Sequence, residues 1–157
     1  MAELQLPKLI ARVRFPSSAP IMRTSPNRLL ATIVGAVYLL LGVAGFFVTA
    51  GVGFFADSGG LLLGLFEVND FHNVAHIVIG AALLMAGLTT VRAAKTITTI
   101  VGTAYLVLGI AGLFVIGGPF NILALNGVDN VLHLGSAVVL LAVGLGADRS
   151  VTTAVTS

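Results

Sequence analysis

The sequence predicts an all-α membrane protein, a four-transmembrane-helix bundle made of two parallel tandem helical hairpins. Three observations carry that prediction. Residues 33–47 (IVGAVYLLLGVAGFF) and 100–114 (IVGTAYLVLGIAGLF) match at ten of fifteen positions, so one membrane-spanning helix occurs twice. With 57% apolar residues, 9% charged residues and a mean hydropathy of +1.09, a water-soluble fold of this length would be covered in exposed apolar surface. Lys and Arg fall on one side only of four uncharged stretches, as the positive-inside rule requires of a chain with both termini in the cytoplasm.

The chain opens on a basic cytoplasmic arm, residues 1–28, with Lys8, Arg12, Arg14, Arg23 and Arg28. Within it, residues 8–15 mix apolar and basic side chains, a composition suited either to a short helix on the membrane surface or to a disordered basic tail. Beside an anionic inner leaflet this arm accounts for the pI near 9.5 with no nucleic-acid partner. Pro16, Pro20 and Pro26 separate the arm from the transmembrane domain, residues 29–148.

Repeat one, about 29–92, begins with span one, residues 29–48. Its relative lies mid-chain, where no signal peptide acts, so span one is expected to be retained. Outer loop one, residues 49–71, contains LLLGLF at 61–66, too short to span but apolar enough to lie against the mouth of the bundle. Span two covers residues 74–91, and Arg92 and Lys95 follow it. Repeat two, about 97–147, repeats the plan with span three at 97–116, an apolar outer loop at 117–128 and span four at 131–147. Arg149 starts a short cytoplasmic tail, residues 149–157. At about 1.5 Å per residue, the spans reach roughly 25 to 30 Å, close to the hydrocarbon thickness.

Gly35, Gly42 and Gly45 in span one recur as Gly102, Gly109 and Gly112 in span three. Seven-residue spacing puts small residues on one helix face, where they let backbones approach in lipid, so Gly35, Gly42, Gly102 and Gly109 are assigned to helix packing. The second spans also match: Asn69, Asn73, Val74 and His76 align with Asn126, Asn130, Val131 and His133.

The ionisable groups gather at the outer ends of spans two and four. His72 and His76 are four residues apart, as are Asp129 and His133, so each pair stacks on one helix face. Asp70 is expected to cap its helix, whereas Asp129 both suits a helix start and faces His133. The favoured reading is a structural hydrogen-bond cluster of Asn73, His76, Asp129, Asn130 and His133 that joins the two halves and needs no cofactor. Two other readings compete with it. His76 and His133 match the placement of two axial haem b ligands, and His72, His76, His133 and Asp129 offer three nitrogens and one oxygen to a divalent metal. Alternatively Tyr38 and Tyr105, at matched mid-membrane positions, join His76 and His133 in a quinone or proton-relay site.

No catalytic residue is assigned, because GxSxG, HExxH and GxxxxGK[ST] are absent and the glycines lie inside spans. The chain has no cysteine, which excludes disulfides and thiolate metal sites.

A GxxYLxLGxxG span, a G-L-F segment, HNxxH at residues 72–76, then a second such span and DNxxH at residues 129–133 together resemble an uncharacterised bacterial membrane-protein family. That family is a four-span domain of unknown function common in high-GC Gram-positive bacteria. The resemblance covers about residues 27–147 and implies the architecture but no activity. The expected function is therefore that of a non-enzymatic structural or accessory subunit of a larger respiratory or envelope assembly. It would sit in the bacterial inner membrane, beside a membrane-protein partner or as a homo-oligomer. The alternative is a haem-, metal- or quinone-binding membrane protein built on His76 and His133.

Overall fold

The computed structural model describes residues 25–149, so the expectations for most of the arm and the tail lie outside the described residues. Four helices follow one another: α1, Pro26–Gly45; α2, Asp70–Leu88; α3, Val91–Val115; and α4, Gly127–Gly146. All four are long and apolar enough to cross a membrane. Their outward faces carry large apolar side chains such as Leu40, Val107 and Phe114, the surface that a bilayer solvates. The chain thus has the build of a multi-pass membrane protein.

Local chemistry sets each helix start. Ser25 accepts from the Arg28 amide and Pro26 occupies the first turn, where its missing N–H costs nothing. Asn69 caps α2 by accepting from the His72 amide. Asn126 caps α4 in a capping box with Asp129. The expected cap at Asp70 is therefore displaced by one residue, and the Asp70 carboxylate instead accepts from the Thr49 hydroxyl. Helix α3 starts well before the expected residue 97, because Thr90 caps it and α2 joins it through Thr89 and Thr90 alone. Arg92 and Lys95 thus ride on the first turns of α3 rather than in a loop.

α1 packs chiefly on α2, and α3 chiefly on α4, while α3 also touches α1 and α2. The first pairing brings backbone against backbone. A Cβ on Gly35 would stand 2.8 Å from the Gly80 carbonyl oxygen, and one on Gly80 would stand 2.8 Å from that of Gly35. Gly42 lies against the backbone of Asn73 and Ile77. In the second pair, Gly102 faces the Leu140 and Leu141 side chains and Gly109 that of Leu134. A core of Ala31, Tyr38, Leu83, Ala94, Val101, Tyr105, Ala137 and Leu140 lies between the helices.

The apolar LLLGLF segment forms part of a β-hairpin, β1 (Gly60–Leu62) and β2 (Phe66–Val68), with Leu61 paired to Glu67. This is a departure from the all-helical expectation. The hairpin owes its place to tertiary contacts: the Glu67 amide donates to Asp129 and the Asn126 side chain donates to the Leu65 carbonyl.

At the opposite end, Asp148 closes the bundle. Its Oδ2 accepts from the Ser25 hydroxyl at 2.7 Å, the Asn27 amide at 3.1 Å and the Asn27 side chain at 2.9 Å, tying the start of α1 to the end of α4. Partial burial by itself raises this carboxyl, but those three hydrogen bonds and the Lys95 charge together hold it below its ordinary value. A depressed folded-state value means that the clasp stabilises the protein above the ordinary carboxylate range and is lost as pH falls through the folded value. Asp148→Asn should therefore lower the melting temperature near neutral pH, with the gap to the wild type closing in acid. A constant gap at every pH would show that the charge contributes nothing.

Candidate metal centre

Three imidazoles meet at the loop end of the bundle. His72 and His76 come from the first two turns of α2 and His133 from the second turn of α4. They are 2%, 6% and 3% exposed, so bulk solvent does not reach them. Ring centroids lie 4.5 Å apart for His72 and His76, 5.8 Å for His72 and His133, and 6.4 Å for His76 and His133. One nitrogen from each ring lies within 4.8 Å of the other two.

Each ring also has a buried nitrogen with no hydrogen-bond partner: Nε2 of His72, and Nδ1 of both His76 and His133. For His72 the reason is clear. Its Nδ1 lies 3.0 Å from the Leu123 carbonyl oxygen, which only accepts, so the proton sits on Nδ1 and Nε2 keeps a free lone pair. A carbonyl that accepts from one ring nitrogen in this way fixes the tautomer and aims the other nitrogen as a ligand.

Two tyrosines wall the cluster. Tyr38 stacks on His76 with centroids 5.4 Å apart, Tyr105 meets His133 edge-on at 5.0 Å, and the two phenol rings are 5.6 Å apart. The Tyr38 hydroxyl donates to Ser136 at 2.9 Å, whereas the Tyr105 hydroxyl is buried without a partner.

A cap of both loops covers the cluster. The Asn69 side chain donates to the Ala56 and Ile122 carbonyls at 2.7 and 2.8 Å, and that of Asn121 to the Asp57 carbonyl at 3.2 Å. These amides lace loop one to loop two beside His72, which touches both Asn69 and Leu123, and Val68, Ala124 and Leu125 are buried in the same loops.

The remaining sequence candidates go elsewhere. Asp129 is not grouped with the three histidines, since its Oδ2 accepts from the amides of Asn126 at 3.1 Å and Glu67 at 3.0 Å. Asn73 and Asn130 do not bridge the halves. Their side chains lie over Gly45 and Gly112, each within its own hairpin, and Asn73 donates to Thr49. Among the described residues no side-chain hydrogen bond joins any two of Asn73, His76, Asp129, Asn130 and His133. Buried lone pairs of Asn73, Asn130, His76 and His133 are left without partners. The site thus pairs some of its polar groups and leaves one atom on each of these side chains unpaired, a costly arrangement for a purely structural cluster.

Sequence reasoning missed two participants. The Leu123 carbonyl is a backbone group, on which side-chain identity leaves no signature. Ser136 sits one turn below His133 and is visible only once α1 brings Tyr38 to it.

A family model described as a domain of unknown function, DUF4383, matches residues 28–146. No curated protein and no solved structure matches the chain.

Proposed function

Starting from a chain that belongs to the DUF4383 family of unknown function, we propose that it is a metal-binding membrane protein in which His72, His76 and His133 hold one transition-metal ion. The observation that supports this reading is the coincidence of three converging buried imidazoles, each with an unpartnered nitrogen. Leaving such groups unpaired costs about 1 to 3 kcal/mol each, an arrangement that a ligand offsets. Nitrogens bound to one ion at about 2.0 to 2.1 Å lie roughly 3.3 to 3.5 Å apart, within reach of rings whose nitrogens already lie inside 4.8 Å of one another. A single ion suits the space better than a haem, because His72 stands beside both His76 and His133 where a macrocycle between them would lie.

The reading is for binding, without turnover. We place the site on the non-cytoplasmic face, since Arg28, Arg92, Lys95 and Arg149 all lie at the opposite end of the bundle. The accessory role in a larger assembly is supported by the apolar side chains that the cap exposes, including Phe55, Leu63 and Phe120.

Protein solubilised in mild detergent and loaded with a mixture of first-row transition metals should retain one equivalent per chain through gel filtration. Its unfolding should shift upward by about 2.7 kcal/mol at a hundredfold excess over Kd. Retention of no metal, with no thermal shift for any ion, would remove the proposal. The same preparation reports on the accessory role: a partner subunit should co-elute with the chain.

A further inference from the structure

Resting on the metal reading above, we propose that the ion is cuprous copper, Cu(I), in preference to zinc or another dication. The argument is one of charge. All three donors are neutral imidazoles, the chain has no cysteine, Asp57 is exposed, and the other three carboxylates of the loop end are already engaged. Asp129 accepts from two backbone amides, Asp70 from the Thr49 hydroxyl, and Glu67 from the Gly59 amide at 2.8 Å. Among the described residues the protein therefore offers the ion no anionic ligand.

The surroundings are also closed to bulk solvent, with the three rings nearly inaccessible, the two loops laced together beside His72 and two phenol rings alongside. The cost of moving an ion out of water grows with the square of its charge, so a dication is penalised about four times as heavily as a monocation. Imidazole is a poor ligand for the alkali monocations, which take oxygen, and Cu(I) is the available monocation of the late first row that nitrogen binds well. Its filled d shell accepts three ligands without demanding a fourth. Zinc, by contrast, completes a tetrahedron with a water or hydroxide, or with a deprotonated group such as a Tyr105 phenolate.

The test is a pair of competition titrations on the full chain in detergent micelles, without oxygen. Cu(I) competes against bicinchoninate and Zn(II) against a zinc chromophore, with wild type, His76→Ala, His133→Ala and Tyr105→Phe. One Cu(I) per chain is expected, at least about a hundredfold tighter than Zn(II). That binding should be lost in both histidine variants and unchanged by Tyr105→Phe. Zinc binding as tight as copper, or zinc binding abolished by Tyr105→Phe, overturns the assignment while leaving a metal site in place. Binding of neither metal removes the metal reading and this inference together. X-ray absorption of the copper-loaded wild type gives an answer independent of variant folding: a three-coordinate Cu(I) edge with nitrogen scatterers supports the proposal, and a four-coordinate site with an oxygen ligand refutes it.

Discussion

His76→Leu and His133→Leu should each abolish stoichiometric metal binding while leaving the metal-free protein as stable as the wild type, or more stable. In the metal-free state each imidazole keeps a buried nitrogen without a partner, at a cost of about 1 to 3 kcal/mol. Leucine fills a similar volume without that nitrogen, so a gain of about 1 kcal/mol is expected once small packing losses are set against it. The metal-induced rise in melting temperature should vanish in the same variants. A structural hydrogen-bond cluster predicts the reverse, a loss of about 2 to 3 kcal/mol with no dependence on metal. Thermal unfolding of both variants with and without added metal decides the matter. Destabilisation of both in the absence of metal would return the histidines to a structural role.

Gly80→Val should prevent the first hairpin from assembling. The Gly80 Cα faces the backbone of α1, and a Cβ there would lie 3.0 Å from the Leu39 Cα as well as 2.8 Å from the Gly35 carbonyl oxygen. Backbone cannot rotate aside as a side chain does, so the helices must separate and lose dispersion contacts along their whole seam. In lipid that loss is not offset by a hydrophobic force between helices. Overpacking costs of about 1 to 3 kcal/mol are the minimum expected. Gly102→Ala makes the contrast, because its new Cβ would meet the Leu140 Cβ and Leu141 Cγ at 3.0 Å and the Leu141 amide nitrogen at 3.1 Å, where a give of a few tenths of an ångström admits a single methyl. Gel filtration and thermal unfolding in detergent should show an aggregated or strongly destabilised Gly80→Val beside a folded Gly102→Ala. Equal behaviour of the two would mean that backbone contact is not what sets the interface.

Much of this architecture is legible in the chain. The charge-free stretches, the duplicated helix and the matched second spans point to four membrane helices, and four apolar helices are found. The β-hairpin was not legible, since LLLGLF is short and apolar on both faces and its pairing is fixed by Asn126 and Asp129 from a distant helix. Asp129 illustrates a different limit. Helical spacing stacks it beneath His133, but as the third residue of α4 it turns back to the unpaired amide at the helix start. Asn73 is one residue short of a turn from His76, near enough to share a face in projection, yet its amide lies over Gly45.

What the sequence by itself determined was the solvent and the number of helices, because hydropathy, charge placement and small-residue spacing act through local period and length. Which buried polar groups meet was left to the tertiary structure. Convergence of His133 with His72 and His76 depends on how the second hairpin packs on the first, α3 against α1 and α2 and α4 against α1, and the free lone pair of His72 depends on a loop carbonyl fifty-one residues away. Hydrogen bonds and metal ligation fall off within an ångström or so of ideal geometry, a precision that no one-dimensional pattern encodes.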